Sequence, residues 1–137
     1  MRTNKLFAVI LVCMVAMIAG FTSCNQTVET QIFDLSFDQG DLKSGEVAAY
    51  QLLYEPIFIA EISKVAEKRE NTNTFLINNS TEKKAKSDVK AAFELATVEA
   101  QKVADDAVIS MKGMTVILKH STVSKQTPKD FLTYTFK

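Results

Sequence analysis

The chain has 137 residues, of which 16 are basic and 16 acidic, so its formal net charge is zero. A nucleic-acid-binding protein carries a strong excess of lysine and arginine, and the balanced charge therefore argues against this class of protein. A zinc site needs several cysteine or histidine ligands, and a chain with one histidine and two cysteines is expected to hold no metal and no other cofactor.

The N-terminus has the pattern of a secretory leader. Arg2 and Lys5 precede an uninterrupted apolar run of 16 residues, LFAVILVCMVAMIAGF. A positive start, an apolar middle and small residues before a processing point are typical of a signal peptide. The apolar run is shorter than the roughly 18–20 residues that a helix needs to cross a bilayer. We therefore expect residues 1–23 to be cleaved.

The residues at the end of this leader resemble the lipobox of bacterial lipoproteins, here of the Gram-negative type. They read Phe21-Thr22-Ser23-Cys24, with phenylalanine where leucine is most common. The resemblance covers the leader alone and implies that Cys24 is lipidated and becomes the first residue of the mature protein. More than one acyl chain would hold such a protein stably on a membrane.

The second cysteine supports this interpretation. Cys13 lies inside the apolar run and would leave with the leader, so Cys24 would otherwise be an exported thiol without a disulfide partner. Two alternatives stay open, an ordinary secreted protein and an uncleaved membrane anchor. The expected location is the cell envelope, with the domain in the periplasm or at the cell surface, and the outer membrane is preferred to the inner one.

The remaining chain divides into a tether and one domain. Removing 24 residues from 137 leaves 113, enough for a single core but not for two. All acidic residues follow Cys24 while Arg2 and Lys5 precede it, so the mature net charge is −2. Residues 24–29 form the tether, which spans at most about 18 Å. Residues 30–137 form the domain, which is therefore held close to the bilayer.

The first half of the domain predicts a strand and a helix. Apolar residues alternate with polar ones over residues 29–38, which indicates a strand with one buried face. Helical spacing of apolar residues follows over residues 46–69, and Pro56 predicts a kink or break there. Residues 51–59 are rich in strand-forming side chains, so a strand in this segment stays open as an alternative.

The second half predicts another helix and two strands. Residues 75–77 form an apolar plug or a very short strand, and residues 78–81 are good helix-entry residues. The second helix ends by Gly113 and begins either near residue 82 or at Ser87. Alternation over 114–120 and 131–137 indicates a hairpin. The expected fold is α+β, with about three antiparallel strands, two helices on one face and the order β-α-α-β-β.

Two sets of residues are candidates for catalysis. His120 is the single histidine, so any scheme with a histidine base depends on it, although no nucleophile motif surrounds it. Asp34, Asp38 and Asp41 cluster around a glycine but lack the spacing of an EF-hand loop, and an acidic turn is the simpler interpretation. These residues support only an alternative function, a small envelope hydrolase.

Two other sets are candidates for contact with a partner or a membrane. Tyr50 and Tyr54 stand four residues apart on the first helix, where such aromatic rows are usually core but can also line a groove for a partner. Lys83, Lys84 and Lys86 lie in the first turns of the second helix, where the helix dipole disfavours positive charge. A solvated basic turn is the simpler interpretation, and the alternative hypothesis is that this basic end faces lipid headgroups.

The sequence thus predicts a membrane-anchored interaction module more than an enzyme. Its expected partners are the membrane, through lipidated Cys24, and an envelope protein or peptide, with no nucleic acid. This prediction depends on one anchor, one domain and no recognisable catalytic motif.

Overall fold

The computed structural model describes residues 27–137, so the leader, Cys24 and the start of the tether lie outside the described residues. The elements are β1 (Val28–Asp38), α1 (segments Ser44–Ala49, Tyr50–Tyr54 and Glu55–Ile62), β2 (Glu67–Lys68), β3 (Thr74–Thr81), α2 (Glu82–Asp106), β4 (Thr115–Thr122) and β5 (Lys129–Thr135). The strands form one antiparallel sheet in the order β2-β3-β1-β4-β5. The predicted α+β class with an antiparallel sheet is confirmed.

Strand β1 is the centre of the sheet because its alternation is strict. Phe33 and Leu35 point into the core, whereas Ser36 and Asp38 on the other face are exposed. Phe33 stands opposite Phe75 of β3 on one side and opposite His120 of β4 on the other. The inner face of the sheet, defined by Phe33 and Leu35, packs in one core with residues of both helices.

The predicted number and order of strands were wrong, since residues 27–137 form five strands in the order β-α-β-β-α-β-β. The apolar residues 75–77 are the middle of β3, which continues to Thr81 and pairs with β1 along almost its whole length. The segment looked like a plug followed by helix-entry residues because its second half is polar. Pairing with β1 satisfies the backbone of these residues, so they extend the strand.

Helix α1 continues through Pro56 by a change of hydrogen-bond pattern. Residues Tyr50–Tyr54 are π-helical, and the backbone N–H of Glu55 donates to the carbonyl of Tyr50, five residues earlier. Pro56 then falls within the first two positions of the following α-helical segment, where its missing N–H is tolerated. The π-helical turn lies at the position of the predicted kink and lets the helix continue past Pro56. The alternative prediction of a strand over residues 51–59 was wrong.

Helix α2 begins at Glu82, not at Ser87. The hydroxyl of Thr81 accepts a hydrogen bond from the backbone N–H of Lys84 at 3.3 Å and caps the helix. The helix ends at Asp106, several residues before Gly113. In residues 27–137, neither helix is long and apolar enough to span a bilayer.

The predicted hairpin is confirmed. Its loop lies at the same end of the sheet as the β3–α2 junction and the first residue of β1. Strands β4 and β5 pair in an antiparallel manner and are joined by residues 123–128. Because β1 is antiparallel to both neighbours, the hairpin loop, the β3–α2 junction and Val28 lie at this end. We call it the Val28 end.

Candidate functional site

A cavity of about 480 Å³ opens at the Val28 end, between the first turns of α2 and the β4–β5 hairpin. We call it the hairpin pocket. It is lined by charged, hydroxyl-bearing and amide side chains and by one aromatic ring: Glu82, Lys86, His120, Ser121, Thr122, Ser124, Lys125, Gln126, Thr127, Lys129, Asp130 and Phe131. The volume of the pocket is within the range of small-ligand sites, although its lining is more polar than is usual for them.

His120, which lines the pocket, forms a buried pair of polar side chains with Gln31. Both lie on the inner face, in phase with the apolar residues of β4 and β1, and they are 9% and 0% exposed. Nε2 of His120 lies 2.8 Å from Oε1 of Gln31, and Nε2 of Gln31 donates to the carbonyl of Ser80 at 3.0 Å. These contacts satisfy both ends of the buried amide, as burial of a polar group requires.

This arrangement determines which nitrogen of His120 carries the proton. The amide group of Gln31 gives its donor to the Ser80 carbonyl, which can only accept, so its oxygen faces the imidazole. The neutral ring must then be protonated at Nε2. The lone pair of Nδ1 is left free of that bond, and Nδ1 lies 3.9 Å from Oε1 of Glu82.

A lysine and a carboxylate from α2 form the wall beside His120. Nζ of Lys86 lies 2.7 Å from Oε1 of Glu82, one turn earlier on the helix, and 5.1 Å from the ring centre of Phe131. The ammonium group therefore joins an ion pair and a cation–π contact. The ring of Phe131 also approaches those of His120 and Phe33, so it closes the apolar side of the pocket.

The surroundings of the pocket lower the pKa of both His120 and Glu82, which favours the neutral form of the imidazole and the ionised form of the carboxylate. Burial, with the nearby Lys86 ammonium, lowers the pKa of His120 below its ordinary value of 6.5, against the opposing effect of Glu82. The hydrogen bond from Lys86 lowers the pKa of Glu82. At neutral pH the pocket therefore presents a neutral imidazole beside an ionised carboxylate and an ammonium group.

The hairpin loop is fastened to the start of β1. The carboxylate of Glu29 accepts hydrogen bonds from the hydroxyl of Ser124 at 2.8 Å and from its backbone N–H at 3.2 Å. The Ser124 and Thr122 hydroxyls lower the pKa of Glu29. The backbone N–H of Thr122 also donates to the Lys125 carbonyl at 3.0 Å. These bonds hold the outer rim of the pocket against the first residues of β1.

The lowered pKa of His120 predicts a loss of stability on acidification. The imidazole of His120 binds a proton at lower pH in the folded chain than in the unfolded chain. The contribution of His120 to the free energy of unfolding is therefore complete above pH 6.5 and decreases as the pH falls through the pKa of the folded state. The pKa values of Glu29 and Glu82 are lowered from 4.5, so protonation of these carboxylates reduces the free energy of unfolding mainly below that pH. We expect the free energy of unfolding, measured by urea denaturation, to fall between pH 6.5 and 4.5.

The control for this prediction is His120→Gln, which keeps an amide donor for Gln31 and has no titrating ring. Since His120 is the single histidine of the chain, this variant should show a clearly smaller pH dependence over the same range. Equal slopes in the two proteins would contradict the assignment.

The three aspartates do not join His120. Asp34 lies on the opposite face of the sheet and accepts a hydrogen bond from the Thr74 hydroxyl at 2.6 Å. Asp38 accepts from the backbone N–H of Gly40 at 2.9 Å, and Asp41 is exposed in the same turn, at the other end of β1 from the pocket. Among residues 27–137, no three histidine, cysteine or acidic side chains are grouped so that they could hold a metal ion.

Tyr50 and Tyr54 are core residues. Both are 0% exposed, and their rings contact Phe37 and Phe136, with centre distances of 4.6 and 5.4 Å. Neither hydroxyl has a hydrogen-bond partner in the described part of the chain, and burial raises the pKa of both. The interpretation of these tyrosines as surface contacts is therefore corrected, because no part of either ring reaches the surface.

The predicted basic end of α2 lies beside the pocket. Lys86 lines the pocket, whereas Lys84 pairs with Asp88 at 2.9 Å and, with Lys83, borders a shallower groove on the same helix. Gln31 was not among the predicted site residues, although a polar residue in phase with Phe33 and Leu35 was a usable signal. Glu82, Lys129 and Phe131 were not predicted either, because they become neighbours only when α2 packs against the hairpin.

Comparison with protein-family models, curated proteins and solved structures found no match.

Proposed function

We propose that this chain is a lipid-anchored protein of the cell envelope that acts as a small, non-catalytic binding module, with the hairpin pocket as its ligand site. The anchor is proposed from the leader and Cys24. The binding site is proposed from one observation, a cavity of about 480 Å³ lined by His120, which is held in place by its hydrogen bond to buried Gln31. The ligand is a small polar molecule or the polar end of an envelope protein or peptide.

The chemistry of the pocket suits recognition. Nδ1 of His120 carries a lone pair and can accept a hydrogen bond from a ligand hydroxyl or amide. Lys129 and the loop hydroxyls can donate to oxygen atoms, while Phe131 offers an apolar surface. Because Gln31 and Glu29 hold His120 and the loop in place, little conformational entropy is lost on binding.

The same geometry disfavours the hydrolase alternative. A hydrolytic triad requires a hydroxyl or thiol nucleophile in hydrogen-bond reach of the histidine base. In the described residues, His120 bonds to the amide of Gln31, and no serine or threonine hydroxyl bonds to either ring nitrogen. Asp34, Asp38 and Asp41 cannot replace that nucleophile because they lie outside the pocket.

Blocking the pocket tests the proposal. Thr127 lines the pocket on an exposed loop, so Thr127→Trp should fill it without disturbing the core. Thr133→Trp is the matched control, since Thr133 is exposed on β5 outside the pocket. The acylated protein would be purified from its own envelope and its bound small molecules identified by native mass spectrometry. We expect wild type and Thr133→Trp to retain a ligand that Thr127→Trp binds at least about tenfold more weakly.

Equal retention of that ligand by Thr127→Trp, or no ligand on any of the proteins, would contradict the pocket as the binding site. The hydrolase alternative has its own signature. A serine-reactive phosphonate would label the wild type covalently, and His120→Gln would lose the label because the base activates the nucleophile.

A further inference from the structure

We propose that the Val28 end is a docking surface for an anionic bilayer, so that the hairpin pocket opens toward phosphate-bearing lipid headgroups. This inference depends on the proposed function, because it takes Cys24 as the anchor. It adds the orientation of the domain and the chemistry of the surface that it faces.

The topology brings the anchor to this end of the domain. Val28 pairs with Thr81 at the start of α2, and Glu29 bonds to Ser124 of the hairpin loop. Cys24 precedes Val28 by four residues, which span at most about 14 Å. Acyl chains on Cys24 would therefore hold α2's first turns and the hairpin loop near the headgroups, with the opposite end of the sheet far from them.

The Val28 end carries more lysines than acids, which is the balance of charge that an anionic surface attracts. Five lysines lie at the Val28 end: Lys83, Lys84, Lys86, Lys125 and Lys129. Four acids accompany them, Glu29, Glu82, Asp88 and Asp130, of which Glu82 and Asp88 are paired with Lys86 and Lys84. No ion pair found in residues 27–137 includes Lys83, Lys125 or Lys129. These three ammonium groups remain to interact with lipid phosphates.

The opposite end also carries acids. Asp38 and Asp41 lie in the turn after β1, and Asp105 and Asp106 end α2, with Lys43, Lys102 and Lys112 on the same side. Positive charge at the start of a helix and negative charge at its end both oppose the helix dipole. The helix dipole therefore does not explain this distribution, whereas orientation on an anionic membrane is favoured by it, because the lysines then face the lipid and the aspartates lie away from it.

Exposed apolar side chains accompany the lysines. Val28 is 55% exposed at the start of β1, and Val123 is 58% exposed in the hairpin loop. Apolar groups next to lysines are the combination found on surfaces that lie in the headgroup region, where the apolar part enters the acyl boundary. Val28 and Val123 thus supply a shallow apolar contact on the same side as the charges.

Site-specific labels on the acylated protein test this orientation. Cys13 leaves with the leader and Cys24 is acylated, so a single introduced cysteine would be the one free thiol. Gln126→Cys places a fluorophore on the hairpin loop, and Gln39→Cys places the same label in the exposed turn at the opposite end. Each protein is reconstituted in vesicles of phosphatidylcholine, alone or mixed with phosphatidylglycerol, that contain a headgroup-attached quencher.

We expect the Gln126 label to be quenched more strongly when phosphatidylglycerol is present and to recover at high salt, while the Gln39 label changes little. Each lysine near an anionic surface contributes roughly fivefold, and glutamate adds repulsion, so replacing Lys83, Lys125 and Lys129 by glutamate should lower the ratio of docked to undocked protein by at least about 100-fold. The matched control replaces Lys43, Lys102 and Lys112 by glutamate, away from the Val28 end, and should leave the ratio unchanged.

Quenching of the Gln126 label that ignores lipid charge and salt, or an equal effect of the two triple variants, would overturn the inference. The outcome is separable from failure of the proposed function. If mass analysis shows acylated Cys24 and the pocket still binds its ligand, unchanged quenching refutes the orientation alone. An unmodified Cys24 refutes the anchor itself.

Discussion

Replacement of Cys24 by alanine is expected to abolish fatty acylation of the chain, and replacement of Cys13 by alanine is expected to leave it intact. The physical reason is that Cys24 alone follows the small residues at the end of the leader, whereas Cys13 lies inside its apolar run. Metabolic labelling of cells with an alkyne-tagged fatty acid, followed by purification of the chain, measures this directly. The effect should be all or none.

The mass of the purified protein gives a second measurement. Wild type should begin at Cys24 and carry the added mass of its acyl chains, and Cys13→Ala should be identical because residue 13 is removed. In residues 27–137 neither helix can span a membrane. Wild-type protein that carries a free thiol at Cys24, or that retains its leader, would contradict the lipoprotein interpretation.

Replacement of Gln31 by leucine is expected to destabilise the domain by about 2 to 5 kcal/mol. Leucine has a similar volume but leaves two buried groups without partners, Nε2–H of His120 and the carbonyl of Ser80. Each buried donor or acceptor that loses its partner costs about 1–3 kcal/mol. Urea denaturation at pH 7, followed by circular dichroism, measures the change in the free energy of unfolding.

Gln51→Leu provides the matched control, because Gln51 is exposed on α1 and takes no part in the pocket. Exposed substitutions of this kind usually change stability by no more than about 0.5 kcal/mol. If Gln31→Leu were as stable as Gln51→Leu, the His120–Gln31–Ser80 chain of hydrogen bonds would not be a structural element of the pocket.

Local patterns predicted those parts of the fold in which side-chain alternation decides the outcome. Phe33 and Leu35 on β1, and Val116 and Leu118 on β4, point into the core as their spacing indicated. Helix α2 was also evident, because its buried residues recur at helical intervals and Thr81 is a favourable cap.

Local patterns failed where pairing with a distant strand decided the conformation. Residues 78–81 have the composition of a helix entry, yet they lie in β3 because β1 pairs with Ser80 and Thr81 beyond an irregularity in the register. Pro56 indicated a kink, but the π-helical turn that accommodates it depends on how Tyr50 and Tyr54 pack into the core. The first helix and the number of strands were therefore less predictable than β1 or α2.

The candidate site depended still more on long-range contacts. His120 was recognisable as the single histidine, but its partner Gln31 lies 89 residues away in the chain. Glu82 and Lys86 come from α2, while Lys129 and Phe131 come from β5. No local spacing relates these positions, because an antiparallel sheet and the helix packed on it bring them together.

By itself, the sequence determined the candidate anchor at Cys24, the amphipathic segments and the α+β class, because each is recorded in the order and spacing of neighbouring residues. The tertiary structure alone decided that Tyr50 and Tyr54 are buried, that His120 bonds to Gln31 and that a pocket opens beside the start of β1. These features arise from contacts between residues distant in the chain, and strand pairing and core packing determine such contacts.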